Sequence, residues 1–340
     1  MTDPVGRAAP PPPRPRGDLV AAVTGVEKRF GPVPALTNLN IDVPRSCITV
    51  LLGPNGAGKT TAMRLITGAM QADGGTVTVF GADPTGPQGE SIRRRCGVVS
   101  AKPSLYDRLS GRDNLRYAAE LYGMGRERAV DARIEEAASW FGIEAALDQR
   151  VGGYSTGMKT RLALARSVLH DPDLLLLDEP TSGLDPESAQ SVLAMIREMT
   201  ARGRSVLLCT HLLLEAEGLA DEVVVVQDGT SLVWGDPAEL SKRYWPKPEV
   251  TFEADRVDEL GRLADYPEVL DVDRAGDGLR ATLADEDAVG PVVRRLAADG
   301  VLLRSVVPWR PSLEDLYFAV RREYQLDAGD GGGRPAGAGR

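Results

Sequence analysis

The tightest constraint on the fold is a short stretch, Gly53, Pro54, Asn55, Gly56, Ala57, Gly58, Lys59, Thr60 and Thr61, directly after the apolar run 47–52. It fits G-x-x-x-x-G-K-[ST] through Gly53, Gly58, Lys59 and Thr60, with the buried strand before it and the helix after it that the pattern needs. Residues 60–68 supply that helix, offering Met63, Leu65 and Ile66 to a core and Gly68 as a stop. The backbone must curl around phosphate oxygens and aim several N–H groups inward, a path a Cβ would obstruct. The helix N-terminus adds partial positive charge. The pattern assigns Lys59 to β- and γ-phosphates and the Thr60 hydroxyl to Mg²⁺. A glycine-rich turn that binds nothing is the alternative, and both flanks speak against it.

Beyond this loop, strand and helix alternate. Leu39, Ile41 and Val43 read as a strand with one wet face, and 76–80 as another ended by Gly81. Near-continuous apolar runs at 174–177, 206–209 and 223–226 alternate with helical stretches at 187–200 and 212–220, which predicts a largely parallel sheet. Residues 104–153 instead read as a helical insert. After a linker at 244–248, the pattern runs strand (Val250, Phe252), helix (Val257, Leu260, Leu263, Ala264), strands at 269–273 and 279–283, helix (Val289, Val292, Val293, Leu296) and strand at 301–307. That βαββαβ order is a split, ferredoxin-like α+β module. A closing helix follows at 313–322. The domain reading is a Pro-rich disordered leader at 1–18, a nucleotide-binding domain at 19–241, an accessory domain at 242–326 and a disordered Gly-rich tail at 327–340.

The net charge of −9 argues against broad nucleic-acid binding, which calls for a basic surface. Three cysteines, Cys47, Cys96 and Cys209, lie in apolar surroundings and read as buried thiols of a reducing compartment. No apolar run approaches the ~18 residues of a membrane span, so the chain is expected to be soluble and cytoplasmic.

A second chemical feature is the apolar strand that ends in Asp178 and Glu179. Neighbouring strand residues point opposite ways, so the two acids need not share a role. With a phosphate loop in the same chain, Asp178 suits Mg²⁺, and Glu179 suits the polarisation of an attacking water. An acidic pair that merely ends a strand is the plainer reading.

Taken with Tyr154-Ser155-Thr156-Gly157-Met158 just upstream, the chain resembles the ATP-binding subunits of ATP-binding cassette (ABC) transporters over about residues 19–241. The resemblance implies an α/β P-loop NTPase cassette with a mainly parallel sheet and a helical subdomain. It implies ATP and Mg²⁺ as ligands, and a second cassette, as a homodimer, whose Ser155 and Gly157 close over the γ-phosphate; alone, Ser155 reads as a helix N-cap. It places Phe30 against adenine, Asp185 of Ser182-Gly183-Leu184-Asp185 at the dimer interface, and His211 at the γ-phosphate. Taken alone, Phe30 reads as a core residue and Asp185 as a helix cap. His170 has no counterpart and reads as structural or solvent-facing.

One position departs from the family. Ala101 stands where a glutamine normally contacts Mg²⁺ and the attacking water, leaving Ser100, Lys102 or water to compensate, so slow hydrolysis is expected. The signature variant, the stretch 311–317 and the extra C-terminal module resemble ABC-2 type exporters of drugs, lipids or polysaccharides. That implies an ATPase powering a separate transmembrane permease at the cytoplasmic face of the membrane. The alternatives are a soluble ABC protein acting on ribosomes or nucleic acid, and a weakly hydrolysing ATP-dependent switch.

Overall fold

A computed structural model describes residues 19–125 and 127–330. The Pro-rich leader and residues 331–340 of the expected tail lie outside them.

The chain divides between Pro237 and Ala238 into two compact units. The first unit carries β1 (Leu19–Phe30), β2 (Val33–Pro44), β3 (Ile48–Leu52), α1 (Lys59–Ile66), β4 (Gly74–Val79), α2 (Gly89–Arg94) and β5 (Cys96–Val99). Next come α3 (Gly111–Leu121), α4 (Glu127–Trp140), α5 (Thr156–Val168), β6 (Leu174–Asp178), α6 (Pro186–Ala201), β7 (Ser205–Thr210), α7 (Leu213–Ala216), β8 (Glu222–Gln227) and β9 (Thr230–Gly235). The strands form one sheet in the order β4-β1-β2-β9-β8-β3-β7-β6-β5.

From β5 to β8 every pairing is parallel. Every residue of β3, β6 and β7 is buried, as the unbroken apolar runs require. The other end of the sheet is antiparallel through β1–β2, β1–β4 and β8–β9, so the sheet is mixed rather than parallel throughout. Short links force this: Asp228-Gly229 joins β8 to β9 directly between the paired Gln227 and Thr230, a two-residue loop of the type that favours tight hairpins. On α1, Met63, Leu65 and Ile66 are buried and join the core beneath the sheet.

The helical insert is built on α3 and α4. Ser110 caps α3 by accepting from Asp113 N–H, and the buried Asn114 side chain bonds both the N–H and C=O of Tyr106, fixing the loop that leads in. The helix expected over 212–220 is only the single turn α7, because Gly218 adopts a positive φ of 67° and the chain turns away to β8.

The second unit begins with most of α8 (Pro237–Tyr244) and contains β10 (Glu249–Ala254), β11 (Val269–Ala275), β12 (Gly278–Leu283), α9 (Val289–Ala298), β13 (Leu303–Trp309) and α10 (Leu313–Asp330). Its antiparallel sheet has the order β11-β12-β10-β13, the arrangement of a split βαββαβ module. The stretch 244–248 is not a bare linker: it lies inside this unit, where Trp245 meets Trp309 edge-on at 5.5 Å. The first helix of the module is a 3₁₀ helix, Val257–Asp265. Leu260 and Leu263 stand three apart and are both buried, the spacing at which 3₁₀ side chains eclipse. Helix α10 runs past residue 322 to Asp330, so 327–330 belong to it rather than to the tail.

Candidate functional site

The carboxyl ends of β3 and β6 meet at a cavity of about 290 Å³ lined by Ala35, Asn55, Gly56, Gly58, Lys59, Thr60, Thr61, Ala101, Asp178 and Glu179. The phosphate-loop path depends on glycine at two places. A Cβ on Gly53 would sit 2.3 Å from the Val226 carbonyl oxygen, and Gly58, at φ 101°, would drive one to 2.4 Å from Leu36 Cδ2. Gly58 also precedes the first turn of α1, which has no side-chain cap and whose Lys59, Thr60 and Thr61 line the cavity, an arrangement that suits an anion.

Lys59 is buried and donates through Nζ to the Gly53 carbonyl at 2.7 Å and the Pro54 carbonyl at 3.3 Å. The loop thus holds its own cation where phosphate oxygens can replace those carbonyls. Thr60 Oγ1 donates to Asp178 Oδ2 at 2.8 Å. Burial pushes the Asp178 carboxyl up from its ordinary range, with the Thr60 hydrogen bond opposing and the Glu179 charge adding to the rise. Two hard oxygen donors therefore converge, a fit to Mg²⁺, which takes one or two protein oxygens and completes its shell with phosphate and water. Among the described residues no group of three or more His, Cys, Asp or Glu converges to hold a metal, so a divalent ion here would need the nucleotide as co-ligand.

Glu179 follows the last residue of β6 with φ 50°, a left-handed conformation that costs a non-glycine residue about 1–3 kcal/mol and concentrates at functional sites. Its backbone N–H still donates to Cys209 C=O at 2.9 Å, so the chain turns one residue beyond the sheet and re-aims the side chain. Oε1 is buried without a hydrogen bond and lies 3.4 Å from Lys59 Nζ. Oε2 accepts from His211 Nδ1 at 2.8 Å. An orphaned carboxylate oxygen facing a phosphate loop is poised for a water or a ligand donor.

Other residues singled out from sequence stand apart from this cavity. Phe30 ends β1 and is 46% exposed, not a core residue. Ala57 is buried in the core. Ser155 caps α5, accepting from Met158 N–H at 3.2 Å. Asp185 caps α6, accepting from Ser188 N–H at 2.9 Å, which holds its carboxyl below the usual range. Gly157 lies near α6, where a Cβ would stand 3.3 Å from Ser188 Oγ. None of Ser155, Gly157 and Asp185 lines the cavity. His170 stacks on Tyr122 at 3.7 Å with rings 9° apart, and Nε2 bonds the Cys96 carbonyl at 3.0 Å. Cys96 and Cys209 are buried, whereas Cys47 is only half-buried, at the turn that opens β3. Ala35 lines the cavity without any sequence signal, since an alanine in a strand carries no chemical mark.

The ABC transporter family profile matches residues 36–182. The chain is 35% identical over 298 residues to Nod factor export ATP-binding protein I of Rhizobium sp. (strain N33), covering 88% of this chain and 95% of that one. It is 35% identical over 311 residues to daunorubicin resistance ATP-binding protein DrrA3 of Streptomyces coeruleorubidus, with coverage of 88% and 95%. A solved ATP-binding subunit of an ABC transporter superposes with a TM-score of 0.60 at 28% identity, covering 66% of this chain and 93% of that one. Relatives of this identity, matched over nearly their whole length, show that the chain belongs to the ATP-binding proteins of the ABC transporter family.

Proposed function

We propose that this chain binds and hydrolyses ATP to drive a separate membrane permease of the ABC-2 exporter type, working as a pair of cassettes. The observation that carries the reading is the convergence of Lys59, Thr60, Asp178 and Glu179 on one cavity. The names of the relatives, a Nod factor export protein and a daunorubicin resistance protein, support export as the process. In the described residues no helix is long and apolar enough to cross a membrane, so a transport role calls for a permease partner at the cytoplasmic membrane face. The unit that ends at Pro237 acts as the cassette and the unit from Ala238 onward as its accessory domain.

On this reading the Lys59 ammonium exchanges the carbonyls of Gly53 and Pro54 for β- and γ-phosphate oxygens. Thr60 and Asp178 would hold Mg²⁺, which when bound would supply charge neutralisation on the phosphates. Glu179 accepts the proton of the attacking water, and His211, already bonded to its other oxygen, orients the carboxylate. Phe30 stacks on the adenine. Ser155 and Gly157 of a second copy close on the γ-phosphate, with Asp185 at the shared interface; their exclusion from the cavity of their own chain favours that division of labour.

Glu179→Gln separates binding from chemistry. Its ATP turnover should fall by about 10²- to 10⁴-fold, the scale of a lost general base, while ATP binding, read by equilibrium titration, is kept. Unchanged turnover would remove Glu179 from the role. One observation favours a second reading, a slowly hydrolysing switch: the cavity wall at Ala101 offers no polar side chain.

A further inference from the structure

We infer that Thr181 and Glu215 are a positioning pair that holds Glu179 against His211, fastening the loop after β6 to the segment after β7. The inference rests on the proposed role of Glu179, and it adds residues that the phosphate and metal sites do not use.

Thr181 is 3% exposed, and its hydroxyl donates to Glu215 Oε2. The partners are 34 residues apart in sequence and come from different elements, the loop after β6 and helix α7, so this is not a local turn. Helix α7, which carries Glu215, is one turn long, has no side-chain N-cap, and buries only Ala216. Such a segment needs an anchor beyond its own hydrogen bonds. The Thr181 hydroxyl supplies one such anchor, and the Arg197 guanidinium, donating to the Gly218 carbonyl, supplies another.

The loop on the other side has the same need. Glu179 keeps its left-handed backbone through Ser182 N–H donating to Glu179 C=O at 3.1 Å, and Leu184 N–H donating to Thr181 C=O at 3.1 Å. Those bonds fix the shape of the turn, not its distance from the chain that bears His211. Beyond the last backbone bond between the two strands, Glu179 N–H to Cys209 C=O, the chains are held by two side-chain links, Glu179 to His211 and Thr181 to Glu215. His211 and Glu215 stand four residues apart, and Glu179 and Thr181 two apart, so the links form a double brace. Because Oε2 keeps the His211 link while Oε1 is left for the water, both links can stay closed throughout turnover. Asp185 caps α6 at the far end of the same loop, so this brace also fixes where the interface loop begins.

The test uses the full chain, with kcat and KM for MgATP as one readout. The other is the imidazole proton resonance of His211 without nucleotide, told apart from that of the only other histidine by His170→Gln. Thr181→Val removes the hydroxyl and should lower kcat about 10- to 100-fold, as misplacement of a reacting group does. KM should stay within about twofold, the mark of an effect confined to the transition state. Thr181→Ser and Glu215→Gln keep a donor and an acceptor and should restore near-parental kcat. Glu215→Ala should match Thr181→Val, and the pair combined should cost no more than either alone. The His211 resonance should move in Thr181→Val and Glu215→Ala and return in Thr181→Ser. Since Glu215 is only half-buried, its alanine variant serves if Thr181→Val does not fold. Parental kcat with an unmoved resonance in a folded variant would overturn the pair. Full turnover in Glu179→Gln together with a moved resonance would instead overturn the base and leave the pair standing.

Discussion

Ala101 puts a methyl group on the cavity wall where the family resemblance implies a glutamine. The neighbouring hydroxyl does not substitute for it, because Ser100 Oγ donates to the Lys102 carbonyl at 2.9 Å. On the proposed mechanism the attacking water therefore has one partner fewer, and Ala101→Gln should raise ATP turnover by about tenfold, a moderate positioning gain; an unchanged or lower rate in a phosphate-release assay would show that the alanine costs nothing. Lys59, Thr60, Asp178 and Glu179 were legible from the sequence because each stands at a fixed distance from a motif whose chemistry admits few substitutes. The Glu179–His211 contact was not. It depends on β6 lying beside β7 with Asp178 opposite Cys209, so that the residues just beyond each strand emerge together, and neither strand alone carries that register.

Elements were readable where a single period ruled them and misread where a local feature cut the period short. The buried parallel strands announced themselves as apolar runs, and the Asp185 cap marked the start of α6. The 3₁₀ helix Val257–Asp265 and the single turn α7 were harder, since a spacing of three fits both helix types and Gly218 acts only through its φ. The end of α5 shows how one side chain can tie several elements. His170 stacks on Tyr122 at the end of α3 and bonds Cys96 at the start of β5. Burial lowers its pKa below the ordinary value of 6.5, against smaller opposing effects of the Cys96 carbonyl and Asp171. The unfolded chain therefore takes up the proton first: the contribution is whole above pH 6.5 and is lost as pH falls through the lower folded value. Urea unfolding of the parent and of His170→Gln should diverge accordingly, with a shallower loss of stability below that pH in the variant. Parallel curves would mean that the imidazole is not the titrating group.

Each of the two units has an apolar core of its own, against the large sheet in the first and inside the βαββαβ module in the second. Every residue lining the nucleotide cavity belongs to the first unit. Calorimetry should accordingly resolve two unfolding steps, and only the first should rise with MgATP, by about 2.7 kcal/mol at a hundredfold excess over Kd. A single transition that shifts as one would contradict this. The module order could be read in advance because strand and helix periods alternate cleanly along 249–309, whereas the break at Pro237 could not, because α8 spans it without a change in composition. The placement of Ser155 and Gly157 outside their own cavity carries a further consequence for the cell. If the proposed pairing holds, a solitary chain can load nucleotide yet lacks the groups that commit it to cleavage. Fuel consumption would then follow encounters between chains rather than the supply of ATP, and a cassette that has not found its assembly would idle without waste.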